Sequence, residues 1–365
     1  NETIDRVMVG QRAFFDHGET RGIAMRIEAL KRLELALRER RDEVLAVLAE
    51  DLGKPEIEAF VAEYYFLLEE IRRVCGSLKR WLRPGQAKSP FYILPCKNRV
   101  LREPYGVALV VAQWNYPIQL ALSQVVAALA AGNTVVLKPS EMAVASERFL
   151  VRLIGECFRP EHVAVVTGGV EVAGELLERK FDFIFFTGST EVGRLVARKA
   201  AEHLTPTVLE LGGKCPCVVD ATADIPSTAR RILAGKLFNA GQTCFAPDFV
   251  AVHEEVKERL IEETARLLEE LPWETEMARV INARHYERLR GLVSGREIRK
   301  GEDDEARLHF APRILPDAEW GDLAMSGEIF GPILPVVNFQ NRDDLIGKLR
   351  KFSSPLAMYV FSRDE

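Results

Sequence analysis

The stretch Asn239-Ala240-Gly241-Gln242-Thr243-Cys244 leads through small residues and a glycine to a cysteine, with no apolar periodicity that would make it core. A cysteine so placed is either an ordinary buried thiol, the commoner fate of the residue type, or a nucleophile. A free thiol ionises near ~8.5, so a nucleophilic one needs a positive charge, a helix N-terminus or a base nearby. Glu210, in Leu209-Glu210-Leu211-Gly212-Gly213-Lys214, is a carboxylate between two leucines at the end of an apolar run. Such a group is either paired or kept for proton transfer, and a raised pKa would suit a general base. Asn115, in Gln113-Trp114-Asn115-Tyr116-Pro117, offers an uncharged N–H donor on a loop, with a turn asparagine as the plain alternative.

A second group of residues has the character of a phosphate and ribose site. Phe185-Phe186-Thr187-Gly188-Ser189-Thr190-Glu191-Val192-Gly193 runs from a buried strand through a glycine turn into a helix, which leaves free backbone N–H groups for a phosphate. A plain strand-turn-helix has the same pattern. Lys138, in Lys138-Pro139-Ser140-Glu141, follows another apolar strand, where its ammonium either bonds ribose hydroxyls or is a solvated charge. Glu141 suits the adenosine ribose hydroxyls, and its charge opposes a 2′-phosphate, which favours NAD over NADP. Late in the chain, Glu328-Ile329-Phe330-Gly331-Pro332 sets an acid and an aromatic before a Gly-Pro turn.

These residues need elements to hold them. From Ile23 to Glu50 apolar residues recur at helical spacing, and a second helix carries the stripe Ile57, Val61, Tyr64, Leu68, Ile71 and Cys75, ending near Arg83-Pro84-Gly85. Phe91–Leu94 and Arg99–Leu101 read as two short strands of a hairpin arm that would pair with another subunit. Strand-like and helical runs then alternate: Val107–Val111, Gln119–Ala131; Thr134–Leu137, Ala145–Cys157; Val163–Val166, Val172–Arg179; Phe183–Phe186, Val192–His203; and Thr207–Leu211. Such alternation predicts parallel strands joined by crossover helices, an α/β doubly wound sheet. Asn115, Lys138, Glu141, Gly188, Ser189 and Glu210 fall at or beyond the strand ends, the ligand-binding edge of such a sheet. Gly212 begins a second α/β region, with helical Val256–Leu271, a charged loop at Arg299–Glu305 and strand-like Ile333–Asn338. The expected domains are 1–83 with 102–211 for the dinucleotide, 84–101 for the arm and 212–365 for catalysis.

Composition narrows the class. The 365 residues are 47% hydrophobic and 28% charged, which suits a globular chain with a sizeable core and, at this length, two domains. The net charge of −5 comes with acids and bases interleaved, so no basic face is offered to nucleic acid. There is no apolar run long enough to cross a bilayer and no secretory signal pattern, and a cytoplasmic location is the expectation. The six cysteines lack the spacing of a disulfide framework or zinc site, and the six histidines lack metal-site spacing. Cys215-Pro216-Cys217 reads as packing rather than redox chemistry, since Val218 and Val219 continue the apolar run.

Seven motifs occur in order: Glu-Pro-Tyr-Gly at 103–106, Trp-Asn-Tyr-Pro, Lys-Pro-Ser-Glu, Phe-Thr-Gly-Ser-Thr-x-x-Gly, Glu-Leu-Gly-Gly-Lys, Gly-Gln-x-Cys and Glu-Ile-Phe-Gly-Pro. Together they resemble the aldehyde dehydrogenase superfamily over essentially the whole chain. The Val166-Thr167-Gly168-Gly169 turn resembles the class 3 branch, which includes fatty and aromatic aldehyde dehydrogenases. The resemblance implies two Rossmann-like domains with a small hairpin oligomerisation arm, a homodimer, and NAD(P)-dependent oxidation of a small-molecule aldehyde to an acid. It implies Cys244 as nucleophile, forming a thiohemiacetal and then a thioester, Glu210 as base and Asn115 as oxyanion donor, with Glu210 and Cys244 arriving from different domains across a cleft. It places Trp114, Lys138, Glu141, Gly188, Ser189, Gly193, Glu328 and Phe330 on the cofactor: NAD, with NADP as the alternative. Two departures from the family pattern are Gln113 before Trp-Asn and Cys215 where asparagine or serine is commoner. The family pattern also continues beyond Glu365, so a C-terminal segment is expected to be missing here. Two other readings remain: transfer of the acyl group to coenzyme A, against which Glu210 argues, and a catalytically silent cofactor-binding homologue.

Overall fold

The computed structural model describes residues 2–364. By internal contacts the chain forms two compact units, one of residues through Val47 with Phe60–Thr187 and Glu191–Glu210, the other of Leu48–Ala59, Gly188–Thr190 and the residues from Leu211 onward.

The first unit opens with helices α1 (Glu2–Asp16), α2 (Ile23–Glu39) and the start of α3 (Arg41–Leu52). The spacing predicts one helix over Ile23–Glu50, and the structure breaks it at Arg40. The charged run Arg38–Glu43 has no apolar face to bury, and the Arg40 guanidinium donates to the Ala36 carbonyl freed at the helix end and pairs with Glu156. The second predicted helix is also interrupted. After α4 (Glu56–Ala59) comes a π turn, Phe60–Tyr65, before α5 (Phe66–Trp81). A π turn fits an extra residue into one turn, so the apolar phase does not carry through it. Ile57 and Val61 of the expected stripe are therefore exposed, while Tyr64, Leu67, Leu68, Ile71, Val74 and Leu78 form the buried face.

The arm also differs from expectation. Its strands are β1 (Gly85–Ala87) and β2 (Asn98–Val100), paired antiparallel with Gly85 opposite Val100, whereas Phe91–Ile93 is a 3-10 turn. Pro90 and Pro95 flank that apolar segment, and prolines supply no N–H to a ladder.

Five strands build the sheet of this unit: β3 (Val107–Val111), β4 (Thr134–Lys138), β5 (Val163–Val165), β6 (Phe183–Gly188) and β7 (Thr207–Leu211). Their order is β5-β4-β3-β6-β7, and β3 lies parallel to both β4 and β6. The crossovers are α6 (Gln119–Ala131), α7 (Val144–Cys157), α8 (Val170–Leu177) and α9 (Thr190–Glu202). The order reverses at β3, so the loops after β3, β4 and β6 surround the switch point where such sheets bind ligands. β4 is buried along its whole length, as expected of a strand covered on both faces.

The second unit repeats the plan. Strands β8 (Pro216–Val219), β9 (Phe249–His253), β10 (Ile298–Arg299), β11 (Arg313–Leu315), β12 (Ile333–Phe339) and β13 (Tyr359–Phe361) take the order β10-β11-β12-β9-β8-β13. All neighbours are parallel except the short β10. Its helices include α10 (Ile225–Leu237), α11 (Lys257–Glu270), α12 (Trp273–Glu276) and α13 (Ala283–Arg290). Cys217, Val219, Ile232, Val250 and Val336 lie in its main core. Cys215 and Cys217 are both buried with their thiol pKa raised by burial, so they pack.

In the first unit, Arg26 is the buried charge that closes a helix end. Its guanidinium donates to the carbonyls of Ala130 and Ala131 at the end of α6, and to those of Thr20 and Arg21. Gly132, at φ +94°, terminates α6, and a Cβ there would overlap that guanidinium. Arg26→Met leaves the Thr20 and Ala130 carbonyls buried without that donor and is expected to lower stability by on the order of 3 kcal/mol, read by urea unfolding.

Candidate active site

In the first unit, the loop after β3 carries Trp114, Asn115 and Tyr116, all buried. It is clamped at both ends. Ala112 N–H donates to the Lys138 carbonyl at 3.0 Å. At the far end Glu63, fully buried in the π turn, accepts the Ile118 and Gln119 N–H groups at 2.9 and 3.2 Å. A carboxylate on the first free N–H groups of α6 satisfies donors that have no helical partner and complements the helix dipole.

Lys138 ends β4, buried, with its ammonium 2.5 Å from the Glu141 carboxylate. The structure thus brings these two expected cofactor residues together. Gly188 and Ser189 form the turn from β6 into α9, and Gly193 is buried in the first turn of that helix. The Thr187 hydroxyl just before them is buried with no hydrogen-bond partner. Glu210 lies on β7, at one edge of the sheet. The strand alternates half-buried and exposed positions, and Glu210 is exposed, open to water rather than packed between its leucines.

In the second unit, α10 is capped by Asp224, which accepts Ser227 N–H at 3.0 Å, and ends at Leu237. Three left-handed residues follow: Asn239 at φ +53°, Ala240 at +52° and Gly241 at +72°. Left-handed backbone costs a residue with a Cβ about 1–2 kcal/mol, so this turn persists only because its neighbours hold it. Asn239 N–H donates to the Glu58 carboxylate at 3.0 Å, and the Asn239 amide donates to the Gln242 carbonyl at 3.0 Å. Gln242, fully buried, donates to the carbonyls of Asn239 (3.1 Å) and Arg279 (2.9 Å) and accepts Ile281 N–H (3.1 Å). Cys244 emerges from this clamp half-buried, and its carbonyl accepts the Cys215 thiol at 3.4 Å.

The loop bearing Glu328 and Phe330 is fixed from below. Lys214 and Asp248 form a buried ion pair. Lys214 also donates to the Ala324 and Gly327 carbonyls at 2.8 and 2.9 Å, and Asp248 accepts Ile329 N–H at 2.9 Å. Arg288 on α13 donates to the Ile329 carbonyl at 2.7 Å. Phe330 itself is left-handed, at φ +50°. The two loops touch: Gly241 packs so tightly on the Gly331 carbonyl that a Cβ on Gly241 would overlap it. Glu328 accepts a Gly213 backbone N–H, and its pKa is pushed up to about 7, chiefly by burial and then by the Asp248 charge, against the pull of that N–H, Lys236 and Arg288. Its Oε1 is buried without a partner. Burial brings the fully enclosed Lys236 ammonium down to about 8.

The Lys138–Glu141 pair, the buried Thr187 hydroxyl and the glycine turn at the start of α9 are donors and acceptors of the kind that ribose hydroxyls and a pyrophosphate require, and in the second unit Glu328 Oε1 is a further buried acceptor, so these residue types fit a dinucleotide. Glu63, Glu58, Lys214 and Asp248 are the groups holding these loops that sequence reasoning missed. Lys214 lay inside a quoted motif without a role, and Glu63 stood out as an acid amid an apolar helical stripe. Nothing local marks Glu58 or Asp248.

Two doubly wound units, a cysteine on a clamped turn and residue types that fit a dinucleotide are consistent with a cofactor-dependent oxidoreductase. The model of the aldehyde dehydrogenase family matches residues 1–365. The chain is 38% identical to the 4,4'-diaponeurosporen-aldehyde dehydrogenase of Staphylococcus aureus, over 99% of its own length and 81% of that protein's. It is 41% identical to aldehyde dehydrogenase family 3 member H1 of Arabidopsis thaliana, over 97% and 75% of the two chains. The solved structure of the substrate-bound state of Staphylococcus aureus AldH superposes with a TM-score of 0.95 at 38% identity, covering 99% of this chain and 81% of that one. The chain belongs to the aldehyde dehydrogenase family, among its class 3 members, and is an NAD(P)-dependent enzyme that oxidises an aldehyde to a carboxylic acid. Among the described residues no helix is long and apolar enough to cross a membrane.

Lys214→Met strands Asp248 as a buried, uncompensated charge and is expected to cost about 3–5 kcal/mol, measured by urea unfolding. Gly241→Ala, which puts a Cβ against the Gly331 carbonyl, is expected to leave the far-ultraviolet circular dichroism unchanged while lowering turnover at least about tenfold.

Proposed function

We propose that this enzyme works through a covalent thioester on Cys244, with Glu210 as the base that hydrolyses it and Asn115 as a donor to the oxyanion. The observation that carries the reading is the clamped left-handed turn that presents Cys244, because a packing thiol would need no strained backbone before it. The Cys244 sulfur adds to the aldehyde carbon, and the carbonyl oxygen becomes an alkoxide. The Asn115 amide and the Cys244 backbone N–H stabilise that charge as it forms, since donors fixed in advance need no reorganisation. NAD(P), when bound, accepts the hydride that leaves the carbon. Glu210, exposed at the edge of its sheet, takes a proton from water, whose oxygen attacks the thioester carbon; the C–S bond breaks and the thiolate returns. The balance is one aldehyde, one water and one oxidised cofactor to one acid, one reduced cofactor and one proton.

The Lys138–Glu141 pair serves the adenosine ribose, and the Glu141 carboxylate opposes a 2′-phosphate, which supports NAD as the preferred cofactor. Trp114 and Gly193 line the same site, Gly188 and Ser189 take the pyrophosphate, and Glu328 with Phe330 takes the nicotinamide end. An apolar aldehyde suits the chain. A cavity of about 440 Å³ opens beside Phe245, the neighbour of Cys244, lined among others by Ile232, Pro247, Met358, Tyr359 and Phe361. The relative from Staphylococcus aureus is named for 4,4'-diaponeurosporen-aldehyde. The arm carries Phe91, Tyr92, Leu94 and Leu101 exposed, a patch suited to pairing with a second copy, so a homodimer is the proposed assembly.

Cys244→Ala is expected to abolish NADH formation while NAD still binds. Glu210→Gln is expected to give one burst of NADH per site and then turn over slowly. A Glu210→Gln enzyme cycling at the native rate sinks the assignment of the base, and strict dependence on added coenzyme A sinks the hydrolytic route. Decanal is expected to exceed glyceraldehyde in kcat/KM, measured by NADH absorbance.

A further inference from the structure

The nucleophile turn is anchored by one carboxylate from far away in the chain. Glu58, on the single-turn helix α4, stands 181 residues before Asn239, yet its Oε2 accepts the Asn239 N–H at 3.0 Å, at the first left-handed residue of the turn. The Asn239 and Gln242 side chains add amide-to-amide bonds within the turn. Glu58 is thus an ionisable group bonded directly to the turn's backbone.

We propose that Glu58 is a positioning residue for the nucleophile: by accepting the Asn239 N–H as a carboxylate, it holds the Asn239–Gly241 turn in the conformation that aims Cys244. The proposal rests on the reading of Cys244 as the nucleophile. The physical argument is the strain. Asn239 and Ala240 would relax to right-handed or extended backbone if released, and a charge-assisted hydrogen bond is about twice as strong as a neutral one. Protonation of Glu58 weakens the anchor without deleting it, because a carboxyl keeps an acceptor oxygen.

The state of Glu58 turns over near neutrality. Its pKa is pushed up to about 7, first by burial and also by Glu276 on α12, while the Asn239 N–H and Lys54, buried just before α4, pull it back. These are the charged groups that face it. A carboxyl raised above its unfolded value near 4.5 adds stability that is complete below that value and is lost as pH rises through about 7. Ionisation therefore opposes folding and serves positioning. The fold is firmest with Glu58 neutral, and the nucleophile is best held with Glu58 charged.

Glu58→Gln separates these effects, because glutamine keeps a neutral acceptor of the same shape at every pH. Three quantities are read from pH 6 to 9 in the full chain: the rate of the NADH burst, the rate of Cys244 alkylation by iodoacetamide followed by mass spectrometry of that peptide, and Tm. At pH 8.5 the variant is expected to lose about tenfold in burst and alkylation rates, the change that one weakened charge-assisted hydrogen bond converts to. The two enzymes are expected to converge at pH 6, where Glu58 of the native enzyme is mostly protonated. Above pH 7 the variant is expected to melt higher than the native enzyme. Equal burst and alkylation rates at every pH overturn the proposal, as does a uniform loss at all pH values with a lowered Tm, the mark of a merely structural group. Retained activity in Cys244→Ala would instead overturn the underlying assignment of the nucleophile.

Discussion

The second unit is organised around a backbone conformation that would not persist alone. Three successive left-handed residues, two of them with a Cβ, precede Cys244. Everything near them acts as restraint. Gln242 spends its whole amide on neighbouring backbone, Glu58 takes the first N–H, and Gly331 leaves room for no side chain at Gly241. A flexible loop would present the thiol at many angles, and a near-attack geometry tolerates few of them. The strain is the means of choosing one angle.

The first unit applies the same logic to an uncharged group. Asn115 sits on a loop whose ends are fixed by a strand-to-strand hydrogen bond and by the buried carboxylate of Glu63. In both units the loop is held by an acid that comes from the stretch between Glu56 and Tyr65, a region of no obvious chemistry. Lys214 and Asp248 do the same for the Glu328 loop as a buried ion pair, a costly device whose use here is to tie three separate segments to one point.

Much of the fold was legible because its physics is local. Buried parallel strands read as unbroken apolar runs, so Val107–Val111 and Thr134–Lys138 could be placed nearly to the residue. Their polar followers, Asn115 and Lys138, could be placed at the strand ends for the same reason. The illegible parts depend on events that spacing does not record. A π turn shifted the helical phase after Ala59 and exposed Ile57 and Val61. Prolines on either side of Phe91–Ile93 moved the arm's pairing to Gly85–Ala87, where apolar character is slight. A charged run broke an otherwise regular helix at Arg40. Cys244 stood out through its company of motifs, while Glu58 and Asp248 bond across long stretches of chain and carry no local sign. The exposure of Glu210 was likewise hidden, because an edge strand and a central one share the same letters.

The contact between Gly241 and Gly331 has a mechanical side. It is backbone against backbone, with no side-chain rotamer on either partner to absorb a displacement. Loops that meet through such a contact are geared: a shift of a few tenths of an ångström in the Glu328–Pro332 segment is delivered to the residues before Cys244 rather than dissipated. A displacement of the Glu328 loop therefore also reaches Cys244, and the position of that thiol depends on two loops in contact.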